Sequence, residues 1–252
     1  MNDKRGQIGL FVIIAIVIVI GIVLAVILIP KFKPSTSSVS ADNPKAFIES
    51  CLKEEIKNNL ESIADNGGFL NPEGNVMYQG KNYKYLCYTN QNYTPCIVQE
   101  PLIKDRIESE MTKALKEKVS SCVKQFASES ERRGNKVSVG LVSENVELNT
   151  GNVVVNIVAP MTISNEVSRN FNNFRIEYIS KIYDLILIAT SIVSFEATYG
   201  NSEITTYIQY YPDLIIEKNK LSDGSTIYII SNVVSNEKFS FASRSLAWPP
   251  GS

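Results

Sequence analysis

Residues 43–68, "NPKAFIESCLKEEIKNNLESIADNGG", decide how the chain begins to fold. Asn43 can cap the first free amides of a helix, Pro44 suits its first position, and Gly67 suits its end. Between them Phe47, Cys51, Ile56, Leu60 and Ile63 form an apolar stripe at helical spacing. A second stripe starts after Pro101: Ile103, Ile107, Met111, Leu115, Val119, Cys122 and Phe126 advance by four, with a single step of three. Two amphipathic helices that pack together would each present a cysteine to the shared core, so the periodicity predicts a Cys51–Cys122 bridge.

The other two cysteines, Cys87 and Cys96, bracket "YTNQNYTP", a polar turn between two strand-like pieces, and are expected to close a local hairpin. No pair is spaced C-x-x-C, so neither a zinc ribbon nor a redox motif is indicated and no metal ligand is assigned. An even count fits two disulfides, which persist outside the cytoplasm. Four buried free thiols are the alternative. Asn92-Tyr93-Thr94 is an N-glycosylation sequon on the same turn, with Asn92 the acceptor.

Upstream, Ile8 to Ile29 are 22 uncharged residues interrupted only by Gly9 and Gly21. A spanning helix needs roughly 20 residues, whereas a removable export signal needs an apolar core of only about 7–15 and a small-residue cleavage site. The run ends instead in Pro30-Lys31-Phe32-Lys33, so a transmembrane helix anchored in the lipid bilayer is expected. Lys4 and Arg5 on one side nearly balance Lys31 and Lys33 on the other. The cysteines therefore decide orientation and put the bulk of the chain on the extracytoplasmic side of the cell membrane.

Arg5-Gly6-Gln7-Ile8, just before the span, resembles the cleavage region of class III, type IV prepilin-like signal peptides of archaeal pilins and related surface proteins. The resemblance implies a cut between Gly6 and Gln7 that leaves the apolar helix attached. Many pilins carry glutamate at the fifth mature position, where this chain has Phe11. "KPSTSSVSADNP", residues 33–44, reads as a flexible tether, and together with Pro30 it stops the helix that a pilin would continue.

Past residue 134 the pattern turns to strands. "KVSVGLV" and "NVELNTGNVVVNIVAPMTI" alternate, with a hairpin turn at Asn149-Thr150-Gly151-Asn152, and both faces of the second run are apolar enough for a sheet covered by helices. Phe171, Phe174, Tyr178, Ile182, Ile186, Ala189 and Val193 keep helical spacing, which predicts one long core helix over residues 165–198. Its centre, "LILIATSIVSF", is too short to span a bilayer and is bounded by Asp184 and Glu196. The remainder reads as a β meander: "ITTYIQYYPDLIIEKNKL", a turn at Asp223-Gly224, "TIYIISNVV", and "KFSFASRSLAWPP". In the last strand Phe239 and Phe241 face inward, and Trp248-Pro249-Pro250 plugs its end.

The basic-Gly-Gln start, the early cysteine-bearing helix ending in Gly67-Gly68 and the "FSFASRSLAWPP" stretch together are similar to a group of surface proteins of small-genome archaea. That resemblance implies location and architecture, and no activity.

The expected class is α+β: an N-terminal transmembrane helix, a disulfide-stapled helical subdomain, then an antiparallel sheet with one long core helix. The segments are a cytoplasmic leader (1–7), the span (8–29), the tether (30–44), a helical, cysteine-bearing subdomain (45–134) and an α+β subdomain with the C-terminal meander (135–252).

Chemistry is poorly served. The chain has no histidine, which removes Ser-His-Asp and Cys-His catalysis and every His-ligated metal site. Phosphate loops and nucleophile elbows are missing, so no cofactor and no catalytic residue is assigned. Glu54-Glu55 and Glu108-Glu110 read as solvated helix faces with lysine partners. The net charge of −1 offers no field for nucleic acid. The candidate binding surface is instead the tyrosine-rich hairpin, with Tyr83, Tyr85, Tyr88 and Tyr93, since aromatics with polar tips suit contact with a surface protein or glycan. The expected function is an interaction or structural role at the cell surface without enzymatic activity. The alternative is a type IV pilin-like filament subunit, a homo-oligomer processed after Gly6.

Overall fold

The first predicted helix, α1 (Pro44–Asp65), begins where Asn43 Oδ1 accepts from Ala46 N at 3.1 Å. The computed structural model of the protein describes residues 43–247 and, within the apolar run, Ile16, Val17 and Val19, which are helical and exposed. The expected Gly6–Gln7 cleavage site, the rest of the expected span, the expected tether before Asn43 and the expected Trp248-Pro249-Pro250 plug lie outside the described residues. The chain divides into two units, Met1–Ser38 and Val39–Ser252, and α1 opens the second.

Helix α1 leaves through Gly67 and Gly68, with φ of +65° and +97°. A Cβ on Gly68 would fall 2.5 Å from Ile103 Cδ1, so glycine alone lets this turn pass against the start of α2 (Ile103–Arg132). The predicted stripe of α2, from Ile103 to Phe126, is buried throughout. Cys51 is bonded to Cys122, and one turn away the Phe47 and Phe126 rings meet edge to face at 5.5 Å. Deeper in the pair, α1 buries Ile48, Leu52, Ile56, Leu60 and Ile63.

Between the helices the chain forms β1 (Asn75–Tyr78), β2 (Lys81–Tyr88) and the short β3 (Ile97–Val98). After α2 come β4 (Lys136–Val139), β5 (Ser143–Asn149), β6 (Asn152–Ser164) and β7 (Ser168–Ile179). Then follow α3 (Ile182–Tyr199), α4 (Thr205–Tyr210), β8 (Leu214–Lys220), β9 (Ser225–Asn232) and β10 (Lys238–Arg244).

The strands make two sheets rather than one. In the first the order is β1-β2-β10-β9-β8, with β3 also on β2; every pairing is antiparallel except that of β2 with β10. In the second, β6 is the spine. β7 runs along the length of one edge, and the other edge is shared by β5, opposite 152–158, and β4, opposite 161–164. Helix α2 packs on β4 and β5, α1 touches both β7 and β10, and α3 lies on β10 and β9. A single apolar core thus joins α1, α2 and α3 to both sheets, through residues such as Leu148, Val155, Phe239 and Phe241.

The helix expected over 165–198 starts only at Ile182. Residues 168–179 are strand β7, paired with β6 from Asn152↔Ile179 to Ser164↔Ser168. Phe174, Ile176 and Tyr178 also fit a period of two, and the long edge of β6 supplies the pairing that decides between the two readings. Within α3 the buried side is Ile182, Leu185, Ile186, Ala189, Ile192 and Val193, as a core helix requires. Its start is held by Ser180 Oγ, accepting from Ile182 N at 3.1 Å, and by Glu237, whose carboxylate takes Lys181 N at 2.6 Å. A second difference concerns residues 205–210. They form helix α4 rather than meander strand, anchored by a 2.7 Å hydrogen bond between the Tyr207 and Ser191 hydroxyls.

Candidate functional site

The tyrosines expected on one exposed hairpin are divided by the sheet. Successive side chains of β2 face opposite ways, and on the outer side of the first sheet Tyr83 joins Ile227 and Ala242 in a small cluster bordered by Val76, Tyr78 and Tyr85. Strand β1 folds this hairpin over, leaving Tyr83 only 5% exposed. Tyr83 is therefore a packing residue and leaves the candidate surface. Its hydroxyl, and that of Tyr85, ionise above the ordinary tyrosine range because burial disfavours the phenolate.

Tyr85 and Tyr88 remain half-buried and are rigidly held. Their rings lie 4.9 Å apart, and Tyr85 shares a 2.7 Å hydrogen bond with Ser225. The Arg244 guanidinium stands 5.7 Å from the Tyr88 ring centroid and donates to Asp223 O at 3.0 Å and Thr89 O at 3.2 Å. This Tyr-Tyr-Arg platform is built by the parallel β2–β10 pairing, which places Arg244 opposite Tyr88.

Beyond it the Cys87–Cys96 disulfide ties off the turn. Tyr93, at the tip with φ +58°, is 80% exposed, and Asn92 is exposed beside it. Of the four tyrosines, then, the structure leaves Tyr93 free to make contact, two in a half-open platform, and one buried.

A second exposed surface was not singled out by sequence reasoning. On α3, Leu187, Phe195 and Tyr199 are exposed, and so are Ile208, Tyr210 and Tyr211 in and just after α4. From residue 185 to 202 the only charged residue is Glu196, so the α3 part of this surface, from Leu187 to Tyr199, is uncharged. Phe195 and Tyr199 pair at 5.6 Å between ring centroids. Alongside it, Leu86, Val98, Pro101, Val193 and Ala197 line an apolar groove of about 400 Å³.

Under that face Glu196 points inward and is 2% exposed. Its carboxylate accepts from the Tyr228 hydroxyl, from Ser202 N at 3.0 Å and from Ser243 Oγ at 3.1 Å. Burial, the Glu196 charge and their hydrogen bond all push the Tyr228 phenol well above the ordinary tyrosine range. Ser243 Oγ also lies 3.6 Å from Cys96 Sγ, which links the network to the disulfide. A signal for Glu196 was present in the chain. It continues the buried stripe 182, 185, 186, 189, 192, 193 at helical spacing, so an acid there has to be buried.

Glu108 and Glu110 have the expected lysine partners, Lys104 at 2.6 Å and Lys113 at 3.3 Å, but both carboxylates are largely covered rather than solvated. Glu108 takes Leu148 N at 2.7 Å, and Thr112 one turn on takes Val146 N at 3.1 Å, so α2 seals the outer edge of β5. Glu110 accepts from Leu70 N at 3.3 Å.

Compared with known proteins, the chain matches no family model, no curated protein and no solved structure.

Proposed function

We propose that the chain is a single-pass membrane protein, anchored through residues 8–29, whose larger unit lies outside the cytoplasm and serves an interaction or structural role at the cell surface. The observation that carries this reading is the pairing of all four cysteines, with no free thiol among the described residues. Such bonds are maintained where thiols are not kept reduced. Support for interaction rather than chemistry comes from what is exposed: Tyr93 at a disulfide-bound tip, and the large apolar and aromatic side chains of α3 and α4. Glu196 and Glu108 are spent on holding the fold, each accepting from a backbone amide of another segment.

The test is protease shaving of intact cells combined with thiol alkylation before and after reduction. Release of the larger unit, with cysteines that react only after reduction, is the expected result. A protected unit with four reactive thiols refutes the reading. N-terminal sequencing of the same material separates the two anchoring modes: a start at Gln7 marks class III processing, and a start at Met1 a plain signal anchor. A pilin-like filament subunit is the second reading, favoured by Arg5-Gly6-Gln7 ahead of the apolar run. It requires filaments visible by electron microscopy that vanish when Gly6 is replaced.

A further inference from the structure

Where the turn after α3 meets β8, a lysine amine, a carboxamide and a buried carboxylate are gathered around one residue. Lys218 Nζ donates to Asn201 Oδ1 and to Ser202 O, each at 2.6 Å. Ser202 in turn gives its N–H to Glu196 at 3.0 Å. Tyr228 closes the group: its hydroxyl donates to Glu196, and its ring lies under the Lys218 ammonium, 5.7 Å from Nζ to centroid. The Ser202 hydroxyl is buried and is without a hydrogen-bond partner among the described residues. An ordinary surface lysine pairs with a carboxylate or with water; this one is half-buried and held against a carboxamide.

We propose that Lys218 and Asn201 are the two halves of an intramolecular isopeptide bond that ties β8 to the turn behind α3. The neutral amine attacks Cγ of Asn201, a bond forms from Nζ to Cγ, and the bond from Cγ to Nδ2 breaks. The proton that Nζ gives up leaves with Nδ2 as ammonia. Counted from the protonated lysine, one ammonium ion is released, and no oxidant or co-reactant is needed. Fixing amine and amide in contact supplies the proximity that makes such an aminolysis feasible without an activated ester.

Desolvation lowers the Lys218 proton affinity, with Lys220 acting in the same direction and the Glu196 and Glu203 carboxylates opposing it. Burial therefore raises the share of free amine that the attack requires. Asn201 is exposed, so ammonia departs directly to solvent. The bond would close a loop that contains α4, and so would brace the segment bearing Tyr210 and Tyr211.

The experiment is intact-mass measurement and tandem peptide mapping of the full chain purified without reductant and incubated at mildly alkaline pH. The expected mass is lower by one ammonia, beyond the four hydrogens lost to the two disulfides. The map should contain a branched peptide joining Lys218 to Asn201. Lys218→Arg and Asn201→Ala should each abolish both signs while keeping the disulfides and the circular dichroism of the parent. An unshifted mass in the folded, disulfide-intact protein overturns the proposal. So does an ammonia loss that survives in Lys218→Arg, because that marks cyclisation of Asn201 onto the Ser202 amide instead.

Discussion

Glu196 concentrates the fold's sensitivity in one side chain. Three donors converge on its carboxylate in a site closed to water, and truncating it leaves all of them unpaired. Glu196→Ala is expected to cost about 3 kcal/mol or more, read as a fall in the denaturant midpoint. Glu196→Gln keeps an acceptor in place and should cost less. A loss below about 1 kcal/mol for Ala would mean that the network is not formed in solution. Tyr228 sets the alkaline limit. Its folded-state ionisation lies above the ordinary 10.0, as do those of Tyr83, Tyr85 and Tyr178, in each case chiefly through burial. A raised value means that the stability is whole below the unfolded-state pKa and is lost as pH climbs past it. The thermal midpoint should therefore hold up to about pH 9 and fall above about pH 10. In Tyr228→Phe the alkaline fall should be shallower, starting from a lower neutral midpoint.

Among the elements, the α1–α2 pair is closed by the longer covalent loop, with a sequence separation of 71 for Cys51–Cys122 against 9 for Cys87–Cys96. Loop-closure entropy assigns about 4 kcal/mol to the first and about 2.5 kcal/mol to the second. Replacing Cys51 and Cys122 together by alanine should lower the denaturant midpoint more than the same change at Cys87 and Cys96. The reverse order would indicate that the short loop's link to Ser243 and Glu196 outweighs chain entropy. Both helices were legible because each buries one continuous stripe, and the Asp223-Gly224 hairpin because its turn chemistry is local. Strand β7 and helix α4 were not. Over 6 to 12 residues a helical and a strand pattern can share the same apolar positions, and the outcome then rests on a neighbour: β6 for one, Ser191 for the other.

At the scale of the whole unit, β2 pairs with β10, which lies more than 150 residues further along the chain. Residues up to 134 therefore lack both the strand partner and the Phe239 and Phe241 side chains on which α1 rests. A fragment of residues 43–134 is expected to keep helix signal and both disulfides, but to melt without a cooperative transition. A sharp two-state melt equal to that of the whole unit would show that the helical part folds by itself. The tyrosine surface obeys the same logic: Tyr88 acquires Arg244, and Tyr85 acquires Ser225, only through that long-range pairing.

Sequence by itself determined what depends on near neighbours: the spanning-length apolar run, the Asn43 cap of α1, the stripes of α1 and α2, the strand character of 136–164, and which cysteines could meet. Periodicity and capping act within a few residues and need no partner. Tertiary structure decided which of the four tyrosines remain open and that the sheet is two sheets bridged by α1. It also decided that Glu196 is the buried centre of a network with Tyr228, Ser202 and Ser243. Those outcomes depend on contacts between segments far apart in the chain, where the cost of burying a charge or leaving an amide unpaired is settled by whatever the fold brings opposite it.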